Sequence, residues 1–370
     1  MSIKIVNWRP VRILASLQLT VIGLLLMALL VIGGTIFQAE KGIYAAQQNI
    51  FHSWVFWLFG LIPLPGMLLT GTVLFVNLLS TVIFRLKYNW PGLGILLIHI
   101  GLLVLLGGGF ISFQYAREYF MTLSEGESSQ MADAAHEWEL AVWTQAGISR
   151  QVLAVDIAAL RSGKPWAIAT LDLELTMIRF FPNCRPADNA EPGEMILNEA
   201  QPADEPAENI PGATFKIRSP QNSPRQFSLF AGNNFPVLQQ YSDRHYYFSL
   251  RLKRIILPLR LKLLEFKKTV YPGSDIPKSF SSRVEIESGG LRREALISMN
   301  RPLRFREYTF YQSSYGEDVR GAANSTFAVV KNVGRWLPYI SSALIFLGLV
   351  LHFFSQLLTA LKKFPPEVKS

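Results

Sequence analysis

The sequence predicts a mixed membrane protein: four transmembrane α-helices plus a large, mostly antiparallel β domain on the extracytoplasmic side. Three observations carry this. Three long apolar runs fill the first 113 residues and a fourth lies just before the C-terminus. Each can supply the roughly 20 apolar helical residues that a hydrocarbon core about 30 Å thick requires. Between Gln114 and Gly334 the apolar period changes from helical to alternating, which is the signature of half-buried strands. Finally, Lys4, Arg9 and Arg12 precede the first run, Arg85 and Lys87 separate the second from the third, and Lys362, Lys363 and Lys369 follow the fourth. Four crossings put all three clusters on one side, and the positive-inside rule makes that side cytoplasmic. Lys331 and Arg335 oppose the rule and are outnumbered.

In chain order, residues 1–113 form the membrane region. Its first span covers about 13–37 and ends at Gly33-Gly34-Thr35. This run is longer than a signal-peptide core and has no clean small-x-small cleavage site, so it is read as retained. The next apolar stretch is interrupted by Pro63, Pro65 and Gly66, because proline removes a backbone donor and crowds the preceding turn. It therefore divides into an interfacial helix near 52–61, rich in Trp54, Phe56, Trp57 and Phe59, and a second span at 67–84. The third span, 91–113, opens on Trp90-Pro91, proline being favoured in a first helical turn. Residues 114–334 form the β domain, with strands expected around Leu171–Met177, Leu250–Lys253, Arg260–Leu263, Val284–Glu287, Tyr308–Gln312 and Thr326–Val330. Asn183–Gly212, rich in Pro, Ala, Asp and Glu, reads as a loop between two β halves. A faint echo between Leu171–Asn183 and Leu259–Gly273 hints that the halves are related. Residues 335–370 hold the fourth span and a cytoplasmic tail.

Half the residues are hydrophobic and 17% are charged, a balance that suits a part-membrane, part-aqueous chain. The net charge of +9 is assigned to the membrane ends and not to nucleic acid. Cys184 is the single cysteine, so the chain holds no intrachain disulfide, no C-x-x-C redox pair and no C-x-x-C-H haem-attachment site. Hydrolase elbow, phosphate-loop and H-E-x-x-H signatures are absent.

Five histidines are present, and two, His99 and His352, fall inside spans. An ionisable group at that depth is costly and is a functional candidate by default. Antiparallel spans put both in the cytoplasmic leaflet, at similar but unequal depth. Two readings stand side by side: axial ligation of haem iron, or an interhelical hydrogen bond to Ser, Thr or Asn77 of the second span. His52 lies at the outer membrane edge, as an anchor or against an arriving ligand. His136 and His245 lack metal-ligand spacing. The basic stretch Arg251, Lys253, Arg254, Arg260 and Lys262 reads as a solvated strand face or as a partner for acidic groups such as propionates. The aromatic group Phe305, Tyr308, Phe310, Tyr311 and Tyr315 reads as β core or as the wall of a flat ligand site.

The segment Tyr271–Asp318 resembles the ResB/CcsB family of system II cytochrome c biogenesis proteins. The shared features are Tyr271-Pro272-Gly273 with Pro277 and Phe280, then Ser298-Met299-Asn300-Arg301-Pro302-Leu303, then Tyr308-Thr309-Phe310-Tyr311-Gln312-Ser313-Ser314-Tyr315. The first span, with Gly34-Thr35 and Gln38, is also similar. The resemblance implies a multi-pass bacterial inner-membrane protein with both termini cytoplasmic and its large domain periplasmic. It implies a haem-handling subunit of a cytochrome c synthase, not catalytic alone, which works with the membrane protein CcsA (ResC) on haem b and apocytochrome c, with a thioredoxin-like reductase as a further partner. His99 matches the third-span histidine to which the family assigns haem iron, with His352 a second cofactor-binding candidate. No W-G-x-x-W-x-W-D segment occurs, so the groups that would present haem outside must come from the partner. A scaffold that docks partners without binding haem, and an unrelated membrane-tethered sensor, are the other classes.

Overall fold

A computed structural model describes residues 9–363 apart from 59, 145–150, 161–162, 188–194, 204, 220–221, 234, 242–243, 275 and 318–322. Lys4, Phe59, Asp318 and Lys369 therefore lie outside the described residues. The chain divides into two compact units, 1–116 with 332–370, and 117–331.

In the first unit, a short helix α1 (Arg9–Leu14) breaks before α2 (Leu17–Lys41), because the Ser16 hydroxyl caps α2 by accepting from Leu19 N at 3.2 Å. The long helix thus begins a turn later than 13 and ends at Gly42, whose φ of 86° closes it. Breaking a helix among lipid frees carbonyls that need donors. Buried Asn77 supplies two of them, donating from Nδ2 to the carbonyls of Leu14 (2.6 Å) and Ser16 (3.1 Å) and accepting from Thr20 Oγ1 (2.7 Å). Arg85 Nη1 donates to the carbonyl of Ala15 at 3.1 Å.

A short helix α3 (Ile43–Ala46) and a π turn (Gln47–Phe51) follow. Where the sequence suggested an interfacial helix at 52–61, the chain forms a hairpin of β1 (Val55–Leu58) and β2 (Ile62–Pro65). The physical reason is local. Val55, Phe56, Trp57 and Ile62 favour a pleated surface, and Gly60 supplies the φ of 71° in the turn. Pro63 and Pro65 are tolerated in a hairpin with open edges.

Helices α4 (Met67–Phe84), α5 (Leu93–Tyr115) and α6 (Leu337–Lys363) complete this unit. Together with α2 they are long and apolar enough to cross a membrane. Gly94, Gly101 and Gly108 recur every seven residues on α5. A Cβ on each would fall 2.5 Å from His352 N, 2.6 Å from Ile345 Cγ1 and 2.6 Å from Leu337 Cβ. This glycine seam lets α6 lie directly on α5, and Ser341 Oγ donates across it to the carbonyl of Gly101 at 2.8 Å.

The second unit is antiparallel β. Its strands are β3 (Arg117–Ser124), β4 (Ser128–Thr144), β5 (Val152–Asp156), β6 (Pro165–Ile168), β7 (Leu173–Phe181), β8 (Cys184–Pro186), β9 (Leu197–Glu199), β10 (Gly212–Ser219) and β11 (Asn222–Phe230). There follow β12 (Val237–Tyr241), β13 (Arg244–Val270), β14 (Pro277–Ser288), β15 (Leu291–Ser298), β16 (Leu303–Phe305), β17 (Tyr308–Glu317) and β18 (Ala323–Lys331). The segment read as a loop, 183–212, contains the paired strands β8 and β9 among its described residues.

The main sheet runs β15-β14-β13-β4-β3-β18-β17-β16, with β12 on β13 and β5 on β4; a second runs β11-β10-β7-β6. The two predicted strands at Leu250–Lys253 and Arg260–Leu263 are parts of one, the 27-residue β13. Its pairing with β4 shifts register between Ile256 and Leu261, around Pro258. Before the shift, Tyr246, Phe248 and Leu250 join the core shared with the second sheet; after it, Leu257, Leu259, Leu261 and Leu263 enter a separate core. Around that second core the sheet curls, and a bridge between Ser298 and Arg301 brings the β15 and β16 ends together.

A buried ion pair staples β4 to β13. Arg251 Nε and Nη2 both lie 2.9 Å from Glu139 Oε1, and the Glu139 side chain is only 7% exposed. Removing one member strands a charge, so Glu139→Ala should cost about 3 kcal/mol of unfolding free energy. Glu265→Ala, which breaks an open pair with Arg283, should cost less than about 1 kcal/mol. Denaturant titration of the full chain, followed by β-sheet circular dichroism, checks both.

Candidate functional site

His99 lies six residues past the start of α5, and its Nδ1 is 2.8 Å from the carbonyl of Ile95 one turn back. That carbonyl can only accept, so Nδ1 carries the proton and Nε2 keeps its lone pair. Nε2 has no hydrogen-bond partner among the described residues. Asn77, the sequence-level partner for this imidazole, is fully used at the α1–α2 break.

His352 sits on the other side of the seam. Its backbone N packs on Gly94, and its Nδ1 is buried with no hydrogen-bond partner among the described residues. At 1.5 Å and 100° per residue, His99 is about 7.5 Å along α5 from Gly94 and about 140° round from the seam. The two imidazoles therefore occupy the same end of one helix pair but do not share a face.

Heptad spacing puts Leu106 and Phe113 on the His99 face, each further turn pair drifting by only about 20°. Leu106, Phe110 and Phe113, with Trp54 and Phe75, wall an apolar cavity of about 490 Å³ between α4 and α5. His52, just after the π turn, has its ring centroid 4.4 Å from that of Phe113. Sequence reading places His52 at the membrane edge but cannot see this contact, which joins residues 61 positions apart.

In the β unit the basic stretch is largely neutralised. Arg251 binds Glu139, Lys253 binds Glu137 (3.0 Å) and Asp156 (2.8 Å), and Arg254 binds Asp133 (3.0 Å). The ammonium of Lys253 holds the Asp156 carboxyl below its ordinary range, and the two carboxylates hold that ammonium above its own. His136 and His245 are exposed. Among the described residues no cluster of His, Cys, Asp and Glu can hold a metal ion.

The aromatic group divides by strand alternation. Phe310 and Tyr308 are core, whereas Tyr311 and Tyr315 are exposed, Tyr315 lying in a ring cluster with Phe266 and Phe280. Gln312 accounts for the polar part of the same run. Its Oε1 accepts from Ser282 Oγ (2.7 Å) and its Nε2 donates to Ser325 Oγ (2.8 Å), tying β14, β17 and β18 through a buried polar network.

Cys184 is not in a loop but at the start of β8, 1% exposed, with Sγ 3.7 Å from the carbonyl of Ile210. Burial pushes its thiol up to about 11. The thiolate is the reactive form, so iodoacetamide at pH 8 should leave Cys184 unmodified in the folded chain and alkylate it once unfolded. Mass spectrometry reads the difference.

Comparison with known proteins finds the ResB-like family over residues 225–327, from β11 to β18. It also finds Protein NrfI of Wolinella succinogenes, 34% identical over 100 residues. The match covers 26% of this chain and 11% of NrfI, so the aligned region spans about a ninth of that relative's length.

Proposed function

We propose, for a chain that is ResB-like over residues 225–327, a role in cytochrome c biogenesis as the haem-handling subunit of a membrane-bound synthase. The single observation that carries the haem reading is His99: an imidazole within an apolar span, its Nδ1 committed to Ile95 and its Nε2 unclaimed. A carbonyl acceptor on the far nitrogen is the usual arrangement behind a metal-ligating histidine, since it fixes tautomer and ring orientation. Haem iron is the acceptor of that lone pair which an apolar bundle accommodates best.

In this reading haem b is cargo, not a resident cofactor. His99 grips the iron in the cytoplasmic half of the membrane, and His352, on the opposite face of the seam, contributes at most a secondary contact. The β unit extends into the periplasm, and both termini are cytoplasmic. A CcsA-type partner supplies the outer surface on which the haem vinyl groups meet the thiols of apocytochrome c, and a thioredoxin-like protein keeps those thiols reduced.

A second reading has one specific observation behind it. Arg251, Lys253 and Arg254 are each already paired with carboxylates, which leaves the β unit better suited to docking a protein than to holding propionates. The chain would then be a scaffold. Deleting the gene and restoring wild type or His99→Ala separates the two. Haem-stained c-type cytochromes should vanish on deletion and return with wild type only. Full return with His99→Ala favours the scaffold, and c-type cytochromes unaffected by deletion overturn the role itself.

A further inference from the structure

We infer that the groove between α2 and the β1–β2 hairpin holds one phospholipid with an ammonium headgroup, recognised by Glu40. The groove, about 1010 Å³, is walled mainly by apolar side chains and carries a few polar groups, the usual make-up of a small-molecule site. Its α2 wall includes Leu26, Leu30, Gly33, Phe37 and Glu40. These recur every three or four residues, so they form one stripe along a single helix face. From Leu26 to Glu40 the stripe runs about 21 Å at 1.5 Å per residue. One leaflet with its headgroups is about 20–22 Å thick. A lipid standing upright against α2 therefore sets its chain on Leu26 and Leu30 and its headgroup at Glu40. The stripe is open at its middle. An added Cβ on Gly33 meets nothing within 4 Å, whereas one on the adjacent Gly34 runs into the ring of Phe51.

The polar groups select the headgroup. Glu40 is the one carboxylate in residues 1–116, and among the described residues no Lys, Arg or His lines the groove. Lys41 follows Glu40 directly but lies off the stripe, since successive helical residues do not share a face. Asn49, also in the lining, donates from Nδ2 to the carbonyl of Ala45 at 2.9 Å, which leaves its Oδ1 as an acceptor. A carboxylate beside an amide oxygen calls for a cation that bears hydrogen-bond donors. A primary ammonium supplies both the charge and the N–H groups. A choline head has the charge without the N–H, and a glycerol head has hydroxyls but leaves the negative phosphodiester uncompensated. The chemistry points to phosphatidylethanolamine. No residue of the haem reading takes part.

The test uses the full chain, delipidated in detergent and titrated with phosphatidylethanolamine, phosphatidylcholine and phosphatidylglycerol of identical acyl chains, with bound lipid counted by native mass spectrometry. Wild type should keep one ethanolamine lipid per chain, at least about tenfold more tightly than the other two, the scale of one hydrogen bond to a charged group. Glu40→Gln keeps the shape and removes the charge, and should bring the three lipids within about twofold of one another. Gly33→Leu fills the stripe where nothing stands in the way, and should remove lipid of every class while the helical circular dichroism stays that of wild type. Equal retention of the three lipids by wild type overturns the headgroup assignment, as does a preference that survives Glu40→Gln. Lipid retained by a folded Gly33→Leu chain places the bound molecule outside the groove and overturns the site. A groove closed by a second copy of the chain shows as a lipid-free dimer mass and overturns the inference as a whole.

Discussion

Replacing His99 by alanine should strip haem from the purified chain, and added imidazole should restore it. Losing a partner that merely orients a metal ligand costs about 10–100-fold in affinity, so losing the ligand itself should lower haem per chain by on the order of tenfold or more. Rescue is the discriminating part. Imidazole can enter the space left by the side chain and offer the iron the same nitrogen, which a collapsed or misfolded bundle would not permit. Ile95 has no part in the rescue, because its carbonyl belongs to the helix backbone. His352→Ala is the internal control: its backbone packs on Gly94, which lies about 140° round α5 from His99, so most of the haem should remain. Equal loss in both variants would mean that the porphyrin spans the seam and that the face assignment is wrong. Unchanged haem in His99→Ala would leave the imidazole as an intrahelical hydrogen-bond donor and nothing more.

What the sequence disclosed about this site follows from how each signal is encoded. Long apolar runs state their own identity, because a bilayer demands length and composition that no soluble helix needs. The four long helices and the antiparallel β unit were legible for that reason, and so was His99 as an anomaly. Turns and registers were not. The stretch 52–61 has the aromatic richness of an interfacial helix, whereas a positive φ at Gly60 and two prolines beyond it accompany a hairpin. The approach of His52 to Phe113, 61 residues later in the chain, was equally invisible. Alternation around Leu250 and Arg260 was correct at each place, but it could not show that one strand bends past Pro258 to serve two cores. Asn77 was visible as a polar residue in a span; its duty at a helix break depended on Ser16 capping α2, a choice made 61 residues earlier. Resemblance in Tyr271–Asp318 singled out the segment, and the fold explains why its residues are odd: Ser298 and Arg301 bring the β15 and β16 ends together, and Gln312 feeds a buried network.

The largest structural effect should come from Gly101→Leu. Even the first added carbon would lie 2.6 Å from Ile345 Cγ1 and 3.1 Å from both Ile345 N and the Ser341 carbonyl, and two of those three neighbours are backbone that cannot rotate away. The Gly101 carbonyl also accepts from Ser341 Oγ, a bond that separation of the helices breaks. Helix propensity favours the change by about 1 kcal/mol, whereas overpacking costs about 1–3 kcal/mol or more where the backbone must move. The loss of close packing should dominate, lowering the detergent melting temperature of the membrane unit. Gly109→Leu gains the same propensity on the same helix and meets nothing within 4 Å, so its melting temperature should hold or rise. Opposite outcomes eight residues apart would show that the seam, and not helix-forming tendency, sets the rotation of α5. That rotation is what aims His99 away from α6. Gly101→Leu should therefore also lower bound haem while leaving every candidate ligand in place, and imidazole, which rescues a missing nitrogen, should fail to rescue a misdirected one.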